Sequence, residues 1–156
     1  MKIFYVLFVI AHNIRSLHNV GSIFRTADGA GVTKVYLTGY TGTPPRKEIS
    51  KVALGAEETV PWEYVRRPIE IIRKLKRAGV TIVALEKTDQ SIDYRRFHPC
   101  SSSVALIIGN EVRGISTPLL RYADTVMHIP MRGSKESLNV SVAFGIAVYS
   151  YIRIAL

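Results

Sequence analysis

The stretch Val104–Ile108, VALII, is apolar at every position. A strand with one wet face alternates apolar and polar residues, so a run without alternation needs cover on both faces. Other β-rich runs fall at Lys2–Ala11, Lys34–Thr38, Thr81–Leu85 and Thr125–Ile129, with a weaker one at Glu63–Val65. Between them lie segments with helical spacing, at Val20–Ala30, Pro68–Ala78, Thr117–Tyr122 and Val140–Ile154. In the second of these, Ile69, Ile72 and Leu75 keep step, Pro68 stands near the start and Gly79 follows the end. Doubly covered strands alternating with helices specify an α/β fold, a mostly parallel sheet flanked by helices. The chain has 156 residues, enough for one hydrophobic core, so 1–156 reads as a single domain.

Hydrophobic residues make up 47% and charged residues 21%, which suits a soluble globular protein and argues against disorder. Lys and Arg number 21 against 12 acids, a net charge of +9. That balance points to a polyanionic partner, nucleic acid or anionic membrane, with a solvated basic surface as the plain alternative. Cys100 is the only cysteine, which excludes an internal disulfide and a cysteine-based zinc site. It is expected to pack as a small apolar residue. His12, His18, His98 and His128 lack metal-site spacing, so no metal is expected. The opening MKIFYVLFVIAHN has the Lys and apolar run of a signal peptide but no small-residue cleavage site, and its residue types suit a buried strand. Val140–Leu156 is interrupted by Ser141, Ser150 and Arg153 and is short for a membrane span. The expectation is a cytoplasmic protein. Two loops are expected, GYTGTPPRKE at 39–48, with freedom to move, and KTDQSIDYRRFHPCSS at 87–102. Neither a P-loop nor a G-x-G-x-x-G after a strand occurs, which excludes the usual nicotinamide enzymes of this fold class.

Three stretches look unlike scaffold, and each follows a predicted parallel strand: HNIRSLHNVGSIFRTA, GNEVRGIS and MRGSKESLNVS. Ligands of open parallel sheets bind at that carboxyl edge, where strand order reverses. In the first, Asn19 is the expected helix N-cap, with Val20, Ile23, Phe24, Ala27 and Gly31 on one face. A helix starting there has no acid before Asp28 and carries Arg25 in its second turn, near its positive end. An arriving phosphate relieves that charge, and Arg suits bidentate phosphate contact; the alternative is an Arg solvated on the outer face. In the second stretch, Gly109 and Gly114 let the backbone approach a ligand, with Glu111 beside the crevice and Arg113 nearby. In the third, Ser137 or Asn139 caps the last helix, whose start also offers N–H groups to a ligand.

Taken together and in this order, the motifs resemble the SpoU (TrmH-like) class of RNA ribose 2′-O-methyltransferases of the SPOUT superfamily. The matching residues are Asn19, Gly21, Ile23, Arg25, Thr26 and Ala27, then Gly109, Glu111 and Gly114, then Ile129, Pro130, Met131, Ser137, Leu138, Asn139 and Ser141. The resemblance implies an α/β sheet whose C-terminal part is tucked into a deep trefoil knot, with S-adenosylmethionine bound in the knot. It assigns Ile108, Gly109, Ile129, Met131 and Leu138 to that cofactor, and Asn19, Arg25, Glu111, Ser137 and Asn139 to the catalytic polar cluster. Within that cluster, Arg25 is the family's key catalytic residue. An Arg normally stays protonated, all the more beside a phosphate, so positioning phosphate and hydroxyl is a cheaper role for it than general base. The family works as a homodimer. The sequence supports extra burial independently: the last helix sets Val140, Ala143, Phe144, Ala147, Val148 and Tyr151 on one face, yet Val142, Ile146 and Tyr149 make its other sides apolar. A C₂ dimer through this helix and the first-motif region supplies the missing cover.

Many relatives carry an extra RNA-binding domain or basic extensions, whereas this chain begins and ends almost at the catalytic core. RNA is then expected on the core's own cations: Arg46, Lys47, Arg66, Arg67, Arg73, Lys74, Lys76, Arg95 and Arg96. Transfer RNA is favoured over ribosomal RNA because minimal members of the family often act on it. Two alternatives stand beside this reading, a non-catalytic RNA- or S-adenosylmethionine-binding knot protein and a base methyltransferase of the same superfamily. The intact polar set argues against the binder, and the product separates the two enzymes.

Overall fold

The computed structural model describes residues 5–155. Along the chain run β1 (Val6–His12), α1 (Leu17–Gly29), β2 (Lys34–Thr38), α2 (Lys47–Ala53), α3 (Ala56–Thr59), β3 (Trp62–Val65) and α4 (Pro68–Arg77). There follow β4 (Thr81–Leu85), β5 (Ile92–Asp93), a 3₁₀ turn at Tyr94–Arg96, β6 (Ser103–Ile108), α5 (Thr117–Leu120), β7 (Thr125–His128) and α6 (Val140–Ala155). The strands form one seven-stranded sheet in the order β3-β2-β1-β6-β4-β7-β5. Every neighbouring pair is parallel, as expected from the unbroken apolar runs.

Alternation along each strand feeds two cores. Val9 and Ala11 of β1, Val83 of β4 and Leu106 and Ile108 of β6 face a core built with α1, α2, α3 and α6. Ile10, Ile82, Ala84, Ala105 and Ile107 face the opposite core, closed by α4 and α5. Phe24 and Phe144 are fully buried in the first, so α1 and α6 share one layer. Strand order, not strand direction, reverses at the β1–β6 pair: the chain adds β2 and β3 on one side of β1 and the later strands on the other, and Ala11 lies opposite Ile108. That is the crevice at which the first two motifs meet.

Several boundaries differ from the sequence reading. Lys2–Phe4 of the first predicted strand lie outside the described residues, and β1 runs one residue further, to His12. The N-cap of α1 is Ser16, not Asn19: Ser16 has extended backbone and its Oγ accepts the Asn19 N–H at 3.2 Å. The helix therefore starts earlier, and Arg25 sits in its third turn, beyond the reach of the helix end. The first predicted loop shortens to 39–46, because α2 begins at Lys47 without any side-chain cap to announce it. Thr41 pins that loop. Its buried hydroxyl accepts the Ile14 N–H at 3.0 Å and bonds the Ala11 carbonyl at 3.0 Å. Gly21 allows α2 to press on α1, since a Cβ there would lie 2.6 Å from the Ile49 carbonyl oxygen. The second predicted loop contains β5 and the 3₁₀ turn. Cys100 is exposed rather than packed, because it lies on the surface segment leading into β6. Among the described residues no helix is long and apolar enough to cross a membrane, and no His, Cys, Asp and Glu group could hold a metal ion.

Candidate active site

A cleft of about 150 Å³ opens at the carboxyl edge of the sheet, between the loops that follow β4, β6 and β7 and the start of α6. Its apolar walls are Leu85, Ile108, Ile129, Met131, Leu138, Val140 and Ala143. Gly109 forms part of the wall, and Glu86, Lys87, His128, Glu136 and Ser137 supply polar groups. All five residues that the resemblance assigned to a cofactor line this one cleft, as do Glu111 and Ser137.

Glu111 ties the second motif to the first. Its Oε2 accepts the Arg15 N–H at 2.9 Å, and its Oε1 accepts the Ser16 N–H at 3.0 Å and the Asn19 amide at 2.9 Å. Burial pushes this carboxyl up, but the hydrogen bonds from Ser16, Arg15 and Asn19 together outweigh it, and the group is held below its ordinary value of 4.5. The acid that α1 lacks in its own first turn is thus supplied across the crevice by Glu111.

Asn139 joins the third motif to the same network. Its Nδ2 donates to Asn19 Oδ1 at 3.2 Å, while its Oδ1 accepts the Ser141 N–H at 2.9 Å and the Ser141 hydroxyl at 2.6 Å. Asn139 is therefore the residue that caps α6, and Asn19 bridges Glu111 to Asn139 with the two ends of one amide. Ser137 lies exposed on the cleft wall without a hydrogen bond to this network. Arg25 is not brought into the network either. It is exposed on α1 and makes no hydrogen bond or ion pair among the described residues.

Residue-level reading missed a second set of organisers. Asn110 donates through Nδ2 to the Asn13 carbonyl at 3.0 Å and to the Tyr40 hydroxyl at 2.8 Å, and its Oδ1 accepts the N–H groups of Val112 and Arg113. Glu86 Oε2 accepts the Ile115 N–H at 2.9 Å, which braces the far end of the same loop from β4. Asn13, with φ of 55°, was detectable as an Asn directly after a strand, a position where left-handed backbone favours Asn. The glycines that bound this loop are required by space. A Cβ on Gly109 would lie 2.6 Å from Ile115 Cγ1 and 2.7 Å from the Gly114 carbonyl, and Gly114 has φ of 65° against the Glu86 carboxylate.

Comparison with known proteins bears on this geometry. A tRNA (guanosine(18)-2′-O)-methyltransferase of Aquifex aeolicus is 35% identical over 148 residues, covering 94% of this chain and 69% of that enzyme. The 23S rRNA (guanosine-2′-O-)-methyltransferase RlmB of Ralstonia nicotianae is 33% identical over 147 residues, covering 94% of this chain and 58% of that one. The AdoMet-bound rRNA methyltransferase of Sinorhizobium meliloti superposes with a TM-score of 0.90 at 33% identity, over 97% of this chain and 57% of that chain. The chain thus spans little more than half the length of these ribosomal RNA relatives. The model of the SpoU rRNA Methylase family matches residues 6–149, from the first strand to the last helix. On that match, which takes in the cleft and all three motif loops, the chain belongs to the SpoU methylase family.

Proposed function

We propose that this chain transfers a methyl group from S-adenosylmethionine to a ribose 2′-hydroxyl of RNA. The observation that carries the reading is the side-chain bridge Glu111–Asn19–Asn139, which joins all three motif loops beside a single cleft. The residues fit the cofactor by chemistry. Ile108, Ile129, Met131 and Leu138 offer apolar faces to an adenine, Gly109 lines the wall beside them, and the polar rim serves the ribose and amino-acid ends. When bound, S-adenosylmethionine supplies an electrophilic methyl group on a sulfonium.

The chain's own residues must hold the hydroxyl in line with that methyl group and steady the RNA backbone. Glu111, its carboxyl held below its ordinary value by its three donors, fixes the first-motif loop. Asn19 and Asn139 fix the mutual positions of α1 and α6, and Ser137 presents a hydroxyl to the cleft. Arg25, a solvated cation without a protein partner among the described residues, is free to take an RNA phosphate and so orient the neighbouring ribose.

The same reading includes a homodimer and a knotted C-terminus. On α6, Val142 and Tyr149 are 51% and 52% exposed on one side of the helix, a poor arrangement for an isolated protomer. The Tyr149 hydroxyl also approaches α1 at Gly29, which makes the two elements one surface. Support for the knot comes from the match to the SpoU family model over residues 6–149. Transfer RNA is the first substrate class to test and ribosomal RNA the second; the two relatives above are named for one each.

The test supplies tritiated S-adenosylmethionine with unfractionated transfer RNA or ribosomal RNA from a strain lacking the gene, for wild type and Arg25→Ala. The expected result is a 2′-O-methylated nucleoside in one pool, lost with Arg25→Ala. The unfolding free energy from urea denaturation should stay within about 0.5 kcal/mol of wild type, because Arg25 is exposed and makes no hydrogen bond or ion pair among the described residues. Label on a base, or cofactor binding with no transfer to either pool, would overturn the reading.

A further inference from the structure

Tyr40 is 60% exposed yet tethered at both ends. Its N–H donates to Asn13 Oδ1 at 3.1 Å, and its hydroxyl accepts from Asn110 Nδ2 at 2.8 Å. Asn110 lines the cleft and hydrogen-bonds the Asn13 carbonyl, so the ring stands one hydrogen bond from the site. Gly39, with φ of 65°, permits this: a Cβ there would lie 1.9 Å from Asn13 Oδ1. A second exposed ring is tied to the neighbouring Gly39. Tyr64 is 46% exposed and donates its hydroxyl to the Gly39 carbonyl at 2.7 Å, while the Gly39 N–H donates to the Arg66 carbonyl at 3.2 Å. Arg66 and Arg67 after β3, and Arg46 and Lys47 at the end of the Tyr40 loop, are exposed without ion pairs among the described residues.

A large ring held at its polar edge with its body in water contributes little to either core. Fixed exposed aromatics beside unpaired cations are what an unstacked nucleobase requires: a π-face, with positive charge for the adjoining phosphates. We infer that Tyr40 is a substrate-positioning residue, stacking on an unpaired base of the RNA next to the ribose that is methylated. The inference rests on the RNA reading above and deepens it: the target lies in a loop or a splayed strand, since a base in a continuous duplex has no free face.

The experiment compares Tyr40→Phe, which keeps the ring, with Tyr40→Leu, which removes it. For each, KM and kcat are measured with whichever pool, transfer or ribosomal RNA, wild type methylates, and affinity for S-adenosylhomocysteine is measured by calorimetry. Stacking predicts that Tyr40→Leu raises the KM for RNA about tenfold, while Tyr40→Phe stays within about twofold and both bind S-adenosylhomocysteine as wild type does. Unchanged KM in Tyr40→Leu overturns the stacking role alone. So does equal damage from Phe and Leu accompanied by weaker S-adenosylhomocysteine binding, which marks a tether for the Asn110 loop. A wild type that methylates neither pool removes the RNA reading and this inference with it.

Discussion

Glu111 shows how one side chain can serve a helix nearly a hundred positions away in sequence. Reading α1 alone leaves an unexplained positive end; the structure answers it with a carboxylate from the second motif. Glu111→Gln keeps the shape but puts an NH₂ donor where one carboxylate oxygen accepted, facing an N–H group that loses its acceptor. The expected loss of stability is on the order of 1 kcal/mol, discounted for partial exposure, together with a large fall in methyl transfer as the first-motif loop loosens. Because the folded-state carboxyl is held below 4.5, its contribution is complete above that value and is lost as pH falls through the lower, folded one. Urea denaturation of wild type and Glu111→Gln should therefore show a constant gap between about pH 7 and pH 5 that narrows below about pH 4.5. A gap that widens toward acid would show that the charge opposes folding. The three motifs were legible because their polar residues stand out against apolar strands. Their division of labour was not, since Glu111 works through three donors from another segment, and only the fold brings these together.

At the scale of elements, the loop from Gly109 to Gly114 is the part with least room for change. It closes through paired backbone hydrogen bonds between Asn110 and Gly114, at 3.2 and 2.9 Å, and folds back over Gly109. Gly109→Ala must push Ile115 or the Gly114 carbonyl aside, an overpacking that costs about 1–3 kcal/mol. The displacement falls on the cleft wall, so calorimetry should show weakened S-adenosylhomocysteine binding along with a lowered urea midpoint. An unchanged affinity in a folded variant would remove Gly109 from the cofactor's surroundings. The strands were readable because continuous apolar runs have few other uses. Helices α2 and α3 were not: Arg46 caps without a side-chain bond, and Leu54 and Gly55 break the segment with left-handed backbone. The start of α1 was misplaced because Ser16 and Asn19 are both good caps, and what decides between them is the Glu111 carboxylate, which holds the Ser16 N–H from outside the helix.

For the whole molecule, a net charge of +9 favours a polyanionic partner without saying which surface would meet it. The structure divides the cations. Lys76 is paired with Asp124 at 2.8 Å, Arg73 stacks on and hydrogen-bonds Tyr122, and Arg95 is clamped to Asp93, so these secure α4 and the 3₁₀ turn. Of the other six cations expected to meet RNA, none of which is ion-paired among the described residues, Arg46, Lys47, Arg66 and Arg67 lie on the side of the sheet where Tyr40 and Tyr64 stand, Lys74 is on α4 and Arg96 is in the 3₁₀ turn. Affinity carried by phosphate contacts falls linearly on a log–log plot against salt, and each contact removed lowers that slope by about 0.7 for single strands and about 0.9 for duplex. The double variant Arg66→Gln, Arg67→Gln is therefore expected to flatten the salt dependence of RNA binding by roughly 1.4–1.8, with the denaturation midpoint unchanged. Arg95→Gln, which removes a cation already neutralised by Asp93, should leave the slope as in wild type. The reverse outcome, a slope that responds to Arg95 and ignores Arg66 and Arg67, would move the RNA path to the β5 edge of the sheet. It would also part the basic surface from the tyrosines, since the two lie at opposite ends of the strand order.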